Sequence, residues 1–133
     1  MGRRRKGRDI HGVLLLDKPA GYSSNQAVQK VRWRFQARKT GHTGTLDTFA
    51  TGMLPICLGE ASKTAAFMLD ADKTYEACAR LGFATETVDI EGAEVRNEAV
   101  PSLDASKIES AMAKFRGNIE QVPPMYSALK HKG

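Results

Sequence analysis

Apolar and polar positions along the 133-residue chain change period several times, and each change marks an expected element. Val13 to Leu16 is a short apolar burst closed by Asp17, Lys18 and Pro19. It predicts a strand from about Gly12 to Leu16, ending in the turn-like Lys18-Pro19-Ala20-Gly21. Ala27, Val28, Val31 and Phe35 then recur at helical spacing, while Gln26, Lys30 and Arg34 fall on the other faces. With Ser23 or Ser24 as N-cap, this predicts an amphipathic, basic helix to about Phe35. Gly41 to Gly52 holds three glycines, four threonines and one aspartate, a composition that predicts irregular loop rather than an element. It leads into an apolar strand from Met53 to Leu58.

A short helix is expected over Ala61 to Leu69. Tyr75, Ala77, Ala79 and Leu81 alternate on one face of an expected strand from Thr74 to Leu81. The acidic stretch Glu86 to Pro101, with Gly92, reads as a hairpin or surface excursion. Asp104 is a candidate N-cap for a helix striped by Ile108, Ala111, Met112 and Phe115 and stopped by Gly117. The last segment, Val122 to Lys130, starts extended at its prolines. With no internal repeat and no shift of composition, the pattern predicts an α+β fold: a mixed, mainly antiparallel sheet with packed helices. Residues 1–10 form a basic flexible arm and 11–133 one domain in this reading.

Composition narrows the class. Forty-one per cent apolar residues suit a globular core, and no apolar run approaches the roughly 18 residues of a membrane span. No apolar stretch of signal-peptide length follows the basic N-terminus, so a cytoplasmic location is expected. Cys57 and Cys78 are too far apart for a CxxC pair and read as small buried hydrophobes. Charge is more informative: the first 39 residues carry a net +9, and the rest a net −4. Such asymmetry suits a polyanion on one side of the molecule, or a disordered solubilising tail.

Candidate chemistry gathers in Gly41-His42-Thr43-Gly44-Thr45-Leu46-Asp47-Thr48-Phe49-Ala50-Thr51-Gly52. Glycines on both sides of Asp47 allow tight turns and close approach to a bound group, with a short carboxylate presented at a cavity floor. A structural turn, in which Asp47 accepts backbone N–H bonds, is the alternative reading of the same residues. The glycines are not followed by the Gly-Lys-Ser/Thr of a phosphate-binding P-loop. A lone His42 gives no zinc site, so no metal is expected.

The run Gly-His-Thr-Gly-Thr-Leu-Asp, followed by Ala-Thr-Gly-Met-Leu-Pro, resembles the signature of the TruB family of pseudouridine synthases. Three other segments are similar to family motifs in the same order. They are Gly12 to Pro19 with Gly21, Ser23 and Ser24; Lys73-Thr74-Tyr75 through Leu81-Gly82; and Pro124-Met125-Tyr126-Ser127-Ala128-Leu129-Lys130. The resemblance implies the pseudouridine synthase catalytic fold and a bacterial-type isomerase that converts uridine 55 in the T-loop of tRNA to pseudouridine without a cofactor. By it, Asp47 is the catalytic residue, His42 contacts the extruded nucleotide, and Tyr75 stacks on the uracil. Arg3, Arg4, Arg5 and Lys130 are possible RNA contacts, and the helix bases Lys30, Arg32, Arg34 and Arg38 could meet phosphates or simply form a solvated face. Lys18, Pro19 and Tyr126 shape or line the site, or are purely structural. The expected partner is the tRNA T-stem-loop, with no membrane and no obligate protein partner.

Two departures from the family pattern stand out. Thr48 and Phe49 follow Asp47 where the family commonly has proline directly after the aspartate. The chain also lacks the family's later arginine-bearing strand and RNA-binding extension, so the resemblance implies an incomplete catalytic fold. A truncated, non-catalytic RNA-binding or RNA-folding module is therefore the alternative function. A structural fragment with no function of its own is a third, and turnover by this short chain alone is left open.

Overall fold

The computed structural model describes residues 7–123. The candidate contacts Arg3, Arg4, Arg5 and Lys130, and Tyr126, lie outside the described residues. The chain divides into two compact units at Thr74/Tyr75.

The first unit is built on a three-stranded antiparallel sheet. Its strands are β1 (Gly12–Lys18), β2 (Thr40–His42) and β3 (Gly52–Leu58), in the order β1-β3-β2. The central β3 pairs Leu14 with Ile56 and Leu16 with Leu54 on one side, and His42 with Ile56 on the other. Opposed residues of an antiparallel pair point to the same face. Leu14, Leu16, Leu54 and Ile56 therefore share one face, which packs with Ala27, Val28 and Val31 of helix α1 (Ser24–Phe35) into the core. The opposite face carries Val13, Leu15 and Met53, all exposed.

Helix α1 starts where its chemistry directs. Ser23 is the N-cap: its side chain accepts from the Gln26 N–H, and the Gln26 side chain accepts from the Ser23 N–H, a reciprocal capping box. At the other end Gln36 takes a left-handed conformation, φ 51°, and its N–H bonds back to the Arg32 and Trp33 carbonyls. Arg8, ahead of β1, is tied to this helix end, since its N–H donates to Gln36 O and Arg38 N–H donates to Arg8 O. Beyond β3 a 3₁₀ segment, Gly59–Thr64, turns into the one-turn helix α2 (Ala65–Leu69), where the sequence predicts a single helix from Ala61.

Two expectations are corrected in and around the glycine-rich loop. Gly41 and His42 are not loop but the end of β2, because β3 offers an edge for them to pair with. Thr74 to Leu81 is not a strand: it runs irregular and exposed, with no ladder partner among the described residues. Alternation describes a face, and a strand also needs a neighbour for its N–H and C=O groups.

The second unit contains a hairpin of β4 (Phe83–Thr85) and β5 (Glu94–Asn97), whose first strand lies ahead of the Glu86 to Pro101 stretch read as a hairpin or surface excursion, and helix α3 (Ala105–Ala113). Asp104 caps α3 as expected, its carboxylate accepting from the Lys107 N–H at 2.8 Å. The helix then tightens through i→i+3 bonds to Arg116 before Gly117 takes φ 78°. Its apolar stripe is not buried: Ile108, Met112 and Phe115 are all exposed.

Candidate active site

The loop between β2 and β3 is held at its base, along its length and at its exit. At the base, Thr43 is buried and its N–H donates to Pro55 O at 3.2 Å, continuing the pairing with β3 by one residue. Midway, the buried Ser24 hydroxyl accepts from the Leu46 N–H at 2.9 Å and donates to Leu46 O at 3.0 Å. Leu46 also packs its partly buried side chain against the core. One residue past the aspartate, Thr48 O accepts from the Gly21 N–H at 2.8 Å. At the exit Gly52 takes φ +125°, a conformation costly for any residue with a Cβ, while pairing with Lys18.

Asp47 therefore sits between two residues fastened to the segment that enters α1. Its carbonyl accepts from the Ala50 N–H at 3.2 Å, closing a tight turn, and the residue itself is exposed. The sequence leaves two readings open for this carboxylate, as a turn-former or as a presented group. The contacts on either side of Asp47 run through backbone atoms and the Ser24 hydroxyl, and among the described residues the Asp47 side chain has no hydrogen bond or ion pair.

Lys18 supports this arrangement from beneath. Its side chain is fully buried, and Nζ donates to the carbonyls of Pro19, at 3.1 Å, and Tyr22, at 2.8 Å. These bonds set the turn that carries Gly21, the donor to Thr48. His42, opposite Ile56 in the sheet, is partly buried, and its Nδ1 is enclosed without a hydrogen-bond partner among the described residues. Tyr75 begins the second unit and is 68% exposed. It lies in the segment that is not a strand. Ser24 was not singled out by the sequence as a loop residue. The only signal was the second of two adjacent serines at the helix start, one more than capping requires.

Among the described residues no group of three or more His, Cys, Asp or Glu gathers as a metal site, and no helix is long and apolar enough to cross a membrane.

A family profile described as TruB family pseudouridylate synthase (N terminal domain) matches residues 32–133, which include the whole of this loop. The chain belongs to the TruB family. The TruB-family chain is 60% identical over 133 residues to the tRNA pseudouridine synthase B of Chromohalobacter salexigens, covering 100% of this chain and 43% of that protein. It is 58% identical over 130 residues to the protein of that name from Actinobacillus pleuropneumoniae, covering 98% of this chain and 42% of the relative. The Yersinia pestis protein of the same name is 58% identical over 134 residues, with 100% and 41% covered. The TruB-family chain thus spans about two fifths of the length of these curated relatives, 43% in the first case. A chain in the crystal structure of a Cbf5-Nop10-Gar1 complex shares the fold, with a TM-score of 0.58, 25% identity, and 96% of this chain and 31% of that chain covered. The expected α+β fold with an antiparallel sheet and packed helices is the fold observed.

Proposed function

We propose that the chain carries the catalytic aspartate of a tRNA pseudouridine synthase and that Asp47 is that residue, acting on uridine 55 of the T-loop. The observation that carries the reading is the presentation of Asp47: an exposed carboxylate on a loop held by backbone and Ser24 contacts on either side, in a chain of the TruB family. The family's relatives named tRNA pseudouridine synthase B support the substrate class.

The reaction asks for few groups. The N1–C1′ bond of uridine breaks, the detached uracil turns while bound, a C5–C1′ bond forms, and the isomer results as the C5 proton leaves and N1 takes up a proton. A single carboxylate serves this sequence as a nucleophile toward the base or the sugar, or as the base that takes a ribose proton. No redox partner or energy source enters the balance. The target base is stacked in folded RNA and must first be extruded, at a cost of about a few kcal/mol. His42, in the strand that leads into the loop, contacts the extruded nucleotide in this reading. Tyr75 stacks on the uracil, with Arg3, Arg4, Arg5 and Lys130 on RNA phosphates. The enzyme is cytoplasmic and works without a cofactor or an obligate protein partner.

The span of about two fifths of the relatives' length, 43% in the first case, favours a second reading for the chain by itself: RNA binding without turnover. Release of tritium from tRNA labelled at uridine C5 separates the two. Release by the 133-residue chain and none by its Asp47→Ala variant supports catalysis by Asp47 within this segment. Retained tRNA binding without release supports the second reading, and equal release by both proteins removes Asp47 from the chemistry.

A further inference from the structure

At the C-terminal end of α1 lies an open groove of about 520 Å³, lined by Gly7, Gln29, Arg32, Trp33, Arg34 and Gln36. Gln29, Trp33 and Gln36 follow one another at steps of four and three, so they form the outer stripe of the helix, opposite Ala27, Val28 and Val31 in the core. Trp33 is 80% exposed. A tryptophan contributes mainly by burying its large ring, and one left in solvent offers an unused aromatic face.

The charge around that face is of one sign. Arg32 Nε donates to Ala37 O at 3.3 Å, which fixes the guanidinium at the rim, and among the described residues its other N–H groups have no partner. No acidic side chain among the described residues pairs with Arg32 or Arg34. Their neighbours are engaged: Arg38 pairs with Asp9 at 2.9 Å, and Lys30 bonds the Tyr22 hydroxyl and lies 4.3 Å from its ring centroid. The groove is completed by Gly7, which packs so closely that a Cβ there would stand 2.8 Å from Gln36 O and 2.9 Å from Arg38 N. The close approach of this glycine and the backbone bonds of Arg8 to Gln36 and Arg38 hold Arg8 at the same helix end.

We propose that this groove is a second RNA contact, separate from the Asp47 loop, which holds one unstacked nucleotide with its base on the Trp33 indole and its phosphates against Arg32 and Arg34. An exposed aromatic face among arginines and amides is the combination that binds single-stranded nucleic acid: the ring takes any base, and the cations follow the backbone. Four of the seven lining residues, Gln29, Arg32, Arg34 and Gln36, carry amide or guanidinium groups and none is acidic, which suits a polyanion. Ser24, which clasps the Asp47 loop, and Trp33 are nine residues apart, so the clasp and the indole are separated by about 13 Å along α1 and the two sites engage different nucleotides. The inference rests on RNA being the partner and adds a second place of contact.

Trp33 is the single tryptophan of the chain, so its emission reports this groove alone. The experiment titrates the 133-residue chain with a T-stem-loop RNA hairpin, following Trp33 fluorescence and, in parallel, retention of the RNA on a filter. Saturable quenching is expected, and the Asp47→Ala variant is expected to quench equally. Trp33→Ala should weaken hairpin binding about tenfold, with most of the loss restored in Trp33→Phe. Arg34→Ala should reduce the slope of log affinity against log salt by about 0.7 to 0.9. Because Trp33 projects into solvent, far-UV circular dichroism of Trp33→Ala should match the parent chain. Filter-detected binding with unchanged Trp33 emission, and with Trp33→Ala binding as the parent does, overturns the groove while leaving RNA as the partner. Absence of any RNA binding overturns both.

Discussion

The Ser24 hydroxyl both accepts from the N–H of Leu46 and donates to its carbonyl, so one buried side chain clasps the backbone of the loop immediately before Asp47. Replacing it by alanine leaves two backbone groups without their partner in a partly buried place. Ser24→Ala should lower the unfolding free energy by about 2 kcal/mol, read as a reduced urea midpoint at unchanged m. An effect below about 0.5 kcal/mol would mean that the clasp contributes nothing.

Lys18 acts on the same loop from further away. Its ammonium bonds the Pro19 and Tyr22 carbonyls, and the turn they belong to supplies the Gly21 N–H that holds Thr48. Lys18→Met keeps the aliphatic stem and removes the donor. It should cost about 2 kcal/mol, since charged hydrogen bonds are worth more than neutral ones. Lys18→Arg should also destabilise, because the broader guanidinium does not fit a fully buried ammonium site. Urea unfolding of both variants checks this, and an unperturbed midpoint for either would count against the buried support.

The two cysteines differ in exposure and therefore in reactivity. Burial pushes the Cys57 thiol above its ordinary value, which lowers its thiolate fraction as well as its access to reagents, whereas Cys78 is exposed. Titration with a thiol-specific disulfide reagent near pH 8 should show one rapidly reacting group, lost in Cys78→Ser. The second should appear only in denaturant. Two equally fast groups in the native chain would contradict the sheet packing around Cys57.

In the hairpin loop, the Asp89 carboxylate accepts from the Thr87 hydroxyl at 2.6 Å and from the Glu91 N–H at 2.8 Å. The Thr87 bond first, and the backbone N–H next, hold its carboxyl below the usual range. A folded-state value lower than the unfolded one contributes stability that is complete above the unfolded carboxylate pKa and is lost as pH falls through the folded value. Amide exchange in β4 and β5 should therefore speed up on acidification beyond the intrinsic trend, in the acid range below the ordinary Asp value. Asp89→Asn should abolish that extra dependence. If the parent and variant profiles coincide, the carboxylate plays no part in the hairpin.

Much of the first unit was legible because its elements obey local rules. The spacing of Ala27, Val28 and Val31, with serines before them, fixed α1 to within a residue, and the apolar bursts at Val13 and Met53 located two strands. What local rules missed depends on partners. Thr40–His42 has too little β-forming character to announce a strand and pairs only because the edge of β3 is there. Thr74 to Leu81 shows the reverse, an alternation with no neighbour beside it among the described residues. Within the site, Asp47 stood out through its glycines and its resemblance to a family signature. Ser24 and the burial of Lys18 could not, because each is defined by a contact with backbone atoms, one of them 22 positions away.

Thr48 stands where the family pattern has proline, and its fastening to Gly21 runs through its carbonyl, a group proline also possesses. Thr43 and Ala50 are likewise held through main-chain atoms. The path that displays Asp47 is thus written mainly in main-chain bonds, and an exchange of the exposed Thr48 side chain leaves its bond to Gly21 in place.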